Sequence, residues 1–241
     1  MDPSPEFYLS LLALVLGAAG SLYLFIEWLV HKRKHQFLLL WSIGLLLQYL
    51  FQIPVILFNL GKGFILTDFN AFFSLTLSLS FLGLLLVYLG ILYAIGRARK
   101  THIHLVVWFA LIAILYSFVF YDYRIFTSDT PMLITAFLFY IPLYVLILYA
   151  LWKWYRKDDW IKTRITTVGI IMLAIATVIG IVKSFVFLWG GLVYPPSFWF
   201  VPSSSSCFVF VSQSLEVISF VLGFLFVHKN CFKNSKLEAG E

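Results

Sequence analysis

The chain has 241 residues, of which 62% are hydrophobic, 20% aromatic and 12% charged, with a formal net charge of +6. A soluble core of this size cannot bury so much apolar side chain, and with a mean hydropathy of +0.96 most of the remainder has to face lipid. The positive balance is accounted for by loop charges and anionic lipid heads, so nucleic acid is not needed as a partner.

Seven predominantly apolar runs follow one another, each of about 20 residues and long enough at 1.5 Å per residue to cross about 30 Å of hydrocarbon. The first covers residues 7–30 and ends at the basic turn His31 to His35; the second covers 37–60 and stops at Gly61-Lys62-Gly63. The third, 69–96, is closed by Arg97-Ala98-Arg99-Lys100, and the fourth, 105–121, leads into a polar turn around Asp122 and Arg124. Pro131 opens the fifth, 131–152, after which Lys153 to Arg164 form a charged connection with the Trp and Tyr that favour membrane interfaces. The sixth, 165–192, and the seventh, 207–227, flank a loop of Pro, aromatic and Ser residues, and a short polar tail, 228–241, follows. Pro54 and Pro142 lie inside apolar runs, where a missing donor and a crowded preceding turn predict kinks.

Lys and Arg accumulate in cytoplasmic loops. With the amino terminus outside and the carboxyl terminus inside, the inner connections hold fourteen of them and the outer ones only Lys62 and Arg124. One span wrongly added or missed would invert every later loop and destroy that ratio. The expectation is therefore a single all-α bundle of seven transmembrane helices, multi-pass in the plasma membrane.

The start, Met-Asp-Pro-Ser-Pro-Glu, is acidic where a secretory signal is basic, so the first run is expected to be retained. Cys207 and Cys231 fall at opposite ends of the seventh run, a membrane thickness apart, which excludes a disulfide between them. There is no CxxC, P-loop, GxSxG or HExxH, and no kinase, nucleotide-binding or DNA-binding module within these residues. All five histidines, His31, His35, His102, His104 and His228, lie on the inner flanks, which argues against a haem held between spans and against a histidine base for an outer serine. His102 and His104 share a short loop but lack a carboxylate companion, so no metal or other cofactor is expected. Glu27 lies within a turn of the inner rim near His31 and Lys32 and reads as a neutralised interfacial acid.

Lys183 and Glu216 are the acid and base set deep in apolar runs, and an intramembrane ionisable residue is a site hypothesis by default. Treating each span as a rod, Lys183 lies roughly 28 Å beyond Arg164 and about 17 Å before Tyr194, and Glu216 about 18 Å before His228. The lysine side chain can bridge the difference in depth, so a pair is permitted. Ser212, Glu216, Ser219 and Gly223 line one face of the seventh run, and Thr177, Gly180 and Ser184 make a similar stripe beside Lys183; such stripes serve close helix packing or line a cavity. Gln48 and Gln52 stand one turn apart on the second run, where buried amides need partners. Lys183, Glu216, Gln48, Gln52 and Gln213 together are the expected ligand-binding residues, in an outward-facing polar chamber between spans two, six and seven.

The outside amino terminus, short loops, Leu-Gly-rich first runs, basic turn at His31 to His35 and Trp41 opening the next helix resemble the seven-helix membrane sensory region found ahead of some prokaryotic histidine kinases. That resemblance implies a receptor-like or sensor-like role and carries over no binding residue. Microbial rhodopsins share count and orientation but hold retinal on the seventh helix, whereas Lys183 is on the sixth. SWEET-type sugar transporters predict self-similarity between spans one to three and five to seven, and Pro54 has no counterpart in the sixth span. The expected function is non-enzymatic, because no nucleophile with a base and no carboxylate cluster is found. The expected partners are the bilayer, a small-molecule or lipid ligand, and a protein reading the basic inner face; the alternatives are a small-solute transporter or an accessory subunit of a larger membrane complex.

Overall fold

The computed structural model describes residues 5–31, 35–50, 52–60, 69–122, 136–157, 164–193 and 204–238. Among them the only regular secondary structure is helix: α1 (Pro5–Val30), α2 (Gln36–Tyr49), α3 (Gln52–Asn59), α4 (Phe69–Ala94), α5 (Lys100–Asp122), a π-helical turn (Ala136–Tyr140), α6 (Ile141–Lys157), α7 (Arg164–Val193) and α8 (Ser204–Glu238). Four helices are long and apolar enough to cross a membrane, at Phe7–Val30, Leu138–Arg156, Ile165–Val186 and Phe208–His228, with shorter apolar helices at Gln36–Tyr49, Ser78–Ala94 and Lys100–Leu115. Large apolar side chains stand exposed along them, among them Leu22, Val30, Trp108 and Leu115 at 60%, 67%, 64% and 62%. Such a surface is stable against acyl chains, the property of a helical membrane protein. The connections holding Lys62 and Arg124, expected on the outer side, and the basic stretch Lys32 to Lys34 lie outside the described residues.

Each apolar run of the sequence carries helix, with local differences that have physical causes. The second run is broken in two, α2 and α3. Pro54 has no N–H to offer the carbonyl of Leu50, which instead accepts from Ile53 N–H at 3.0 Å, a tighter turn that ends one helix and starts the next. Near Pro142 the backbone widens into the π-helical turn, relieving the clash between the proline ring and the carbonyl four residues earlier. α4 ends at Gly96, whose φ of 63° suits a residue without Cβ; Gly96 N–H donates to Tyr93 O and Arg97 N–H to Leu92 O, the paired bonds that close a helix carboxyl end. The expected loop at His102 and His104 is instead the first turn of α5, where two residues apart do not face each other. His102 Nδ1 accepts from Arg99 N–H at 3.1 Å and so caps that helix. The expected polar tail is helical as far as Glu238.

Six helices form a closed ring in the order α1, α2, α4, α6, α7, α8 and back to α1, while α5 packs on the outside of α4. Glycines set the two tightest seams. A Cβ at Gly83 of α4 would lie 2.5 Å from both the Gly44 carbonyl oxygen and the Gln48 nitrogen of α2, so these backbones touch. Between α7 and α8, a Cβ at Gly169 would lie 2.9 Å from Val227 N and 3.0 Å from Gly223 O. The largest fully buried side chains are aromatic: Trp41 of α2 stacks on Phe224 of α8 with centroids 4.5 Å apart, and Phe224 stacks on Phe220. Gly90 of α4 makes room for the Trp41 indole, which a Cβ there would approach to 2.5 Å.

Candidate functional site

Directly beyond that aromatic layer, four helices converge on Glu216. Its side chain is fully buried, and it is the acceptor of three donors from three different helices. Lys183 Nζ of α7 donates to Glu216 Oε2 and also to Gln213 Oε1, one turn earlier on α8. Gln48 Nε2 of α2 donates to Glu216 Oε1 at 3.1 Å, and the Tyr144 hydroxyl of α6 donates to the same oxygen. The two carboxylate oxygens thus divide the work, Oε2 neutralising the lysine while Oε1 gathers two neutral donors. Lys183 keeps 14% of its side chain exposed, so the pair is buried from the carboxylate side and reached from the ammonium side.

Local sequence explains why these groups meet. Gly180 stands one turn before Ser184 on α7, and a Cβ there would lie 2.3 Å from Tyr144 Cζ; its absence lets the phenol reach Glu216. The Gly44–Gly83 contact draws α2 against α4, where Ser80 Oγ donates to the Gln48 carbonyl at 2.8 Å and fixes the backbone carrying the amide. Thr177 and Ser184 turn back to carbonyls of their own helix, Leu173 at 2.7 Å and Gly180 at 2.8 Å. The stripe on α7 therefore belongs to helix packing and local bonding rather than to a cavity lining.

Of the five residues singled out in the sequence, Lys183, Glu216, Gln48 and Gln213 are bonded into one cluster. Gln52 lies past the α2–α3 break, fully buried, and neither its oxygen nor its nitrogen has a protein hydrogen-bond partner among the described residues. Gln48 Oε1, Gln213 Nε2 and the Tyr49 hydroxyl are likewise buried without a partner there. An unpaired buried amide or hydroxyl is costly, about 1–3 kcal/mol each by mutational measures, so Gln48, Gln213 and Tyr49 leave hydrogen-bonding capacity unused beside the ion pair. The walls also differ from the expected three spans, since α6 contributes Tyr144. Sequence reading missed Tyr144 and Tyr49 because an apolar run with 13 tyrosines in the chain gives no signal for which hydroxyl turns inward.

A second polar group lies at the other end of the aromatic layer, where Glu27 and His31 of α1 meet His228 of α8. Twelve residues of α8 separate Glu216 from His228, about 18 Å along the helix. Phe220 and Phe224, both fully buried, fill that interval.

No protein-family model, no curated protein and no solved structure matches this chain significantly.

Proposed function

We propose that this protein is a non-enzymatic, receptor-like or sensor-like membrane protein that takes a small polar ligand or a lipid headgroup at the Lys183–Glu216 cluster. The reading assigns seven spans, with the amino terminus outside and the carboxyl terminus in the cytoplasm, supported by the fourteen-to-two division of Lys and Arg. One observation carries the binding role: a buried ion pair held by four helices and ringed by amide and hydroxyl groups that lack protein partners among the described residues. A purely structural ion pair needs only saturated neighbours. Here Gln48 Oε1 offers an acceptor and Gln213 Nε2 a donor, a combination suited to a neutral or zwitterionic solute that hydrogen-bonds both ways. Because the cluster joins α2, α6, α7 and α8, a ligand that competes for Lys183 or Glu216 changes which helices are tied together, and that is a mechanism for signalling.

The test is native mass spectrometry of the protein in mild detergent, paired with thermal stability against a panel of amino acids, polyols and lipid headgroup analogues. Binding that is lost in Lys183→Met while helicity is retained supports the proposal. A stoichiometric protein partner on an otherwise empty bundle, insensitive to that substitution, overturns it in favour of an accessory subunit. Solute flux in liposomes abolished by the same substitution overturns it in favour of a transporter.

A further inference from the structure

Glu27 and His31 are one turn apart near the end of α1, so both side chains leave the helix on one face. α8 runs beside α1 and brings His228 to the same level. His228 Nε2 lies 3.4 Å from Glu27 Oε2, and His31 Nδ1 lies 3.6 Å from the same oxygen. One ligand atom from each of the three residues lies within 4.8 Å of the other two. His228 is 4% exposed, while Glu27 and His31 retain 23% and 27% of their side-chain surface. Tyr23, one turn before Glu27, hydrogen-bonds the carboxylate and meets the His228 ring edge-on at 6.1 Å.

Two imidazoles and one carboxylate are the donor set of a divalent transition metal, and two ligands at i and i+4 on one helix with a third from elsewhere is a spacing that suits it. Tetrahedral bonds of about 2.0–2.1 Å place neighbouring ligand atoms about 3.3–3.4 Å apart, close to the two nitrogen–oxygen separations found here. The edge between the imidazoles closes by rotation of His31, which sits at the helix end and now bonds the Glu27 carbonyl through Nδ1 at 2.8 Å. Binding exchanges that bond for a metal bond, the Nδ1 proton moving through solvent to Nε2 of the same ring so that Nδ1 offers its lone pair. We infer that Glu27, His31 and His228 form a zinc-type metal site clasping α1 to α8, with Tyr23 orienting the carboxylate. Three protein ligands leave a fourth position for water or for His35, whose ring lies 6.0 Å from that of His31.

The test uses the full chain purified in mild detergent without a polyhistidine tag, stripped with chelator and titrated with ZnCl2 by calorimetry and with CoCl2 by visible absorption. The expected result is one equivalent of either metal, with the intense absorption of low-coordinate cobalt. Affinity should fall at least 100-fold in Glu27→Gln and in His228→Ala, about tenfold in Tyr23→Phe, and not at all in His102→Ala/His104→Ala. Glu27→Gln and His31→Ala alter partly exposed positions, so they remain informative if His228→Ala fails to fold. Absence of saturable binding overturns the assignment, as does stoichiometric binding that survives both Glu27→Gln and His31→Ala; either outcome then leaves a carboxylate shared between two histidines.

Discussion

Replacing Lys183 by Met leaves Glu216 fully buried with its countercharge gone and only Gln48 and Tyr144 as donors. Removing one member of a buried pair typically destabilises by about 3–5 kcal/mol, and this site offers the carboxylate no solvent to relieve it. Glu216→Gln should be milder. Both neutral donors use Oε1, which the glutamine carbonyl can replace, whereas Oε2 becomes an amide nitrogen facing the ammonium. Lys183 then loses one of two acceptors but keeps Gln213 and its partial exposure, a loss of about 1.5–3 kcal/mol. The double substitution should be less destabilising than the sum by about 0.5–3 kcal/mol, because the penalty of an orphaned charge is then absent. Reversible unfolding in mixed detergent micelles, completed as a double-mutant cycle, measures all three quantities. A Lys183→Met protein within about 0.5 kcal/mol of the parent, or additive single effects, would show that the pair is not formed and remove the basis of the proposed site.

Gly83→Ala should destabilise by about 1–3 kcal/mol in the same assay, since the new methyl meets backbone of α2 that cannot rotate away. Tyr144→Phe removes one donor to Glu216 without leaving a charge alone, so a loss of about 1–2 kcal/mol is expected, with helicity by circular dichroism unchanged. Gly180→Ala should reproduce much of the Tyr144→Phe effect by pushing the phenol aside, and combining the two should add little, as the same unfolding assay reads. A tag at the carboxyl terminus should be cut by added protease only in inside-out vesicles; cleavage in right-side-out vesicles would reverse the proposed orientation.

The positions of Lys183 and Glu216 were legible because charge deep in an apolar run is rare and expensive, so depth alone singled them out. Gln48 and Gln213 followed from the same argument applied to amides. Tyr144 did not, for its partner lies 72 positions away and its only sequence mark is Gly180 on another helix, which gains meaning once the two helices are packed. Glu27 and His228 were each readable as rim residues, yet their meeting depends on α1 and α8 being neighbours, a property of ring closure that hydropathy does not encode. The α2–α3 break was anticipated at Pro54 as a bend, but separation into two helices depends on Leu50 O finding Ile53 N–H, a choice of local bonding that the sequence leaves open.

The contact between α1 and α8 has a consequence for biogenesis. Gln48 and Tyr144 precede Glu216 by 168 and 72 positions, so both are synthesised well before the carboxylate that receives their hydrogen bonds. Until α8 supplies Glu216, neither group has that acceptor and another polar group or water has to serve in its place. A chain interrupted before α8 lacks both that carboxylate and the helix that closes the ring onto α1.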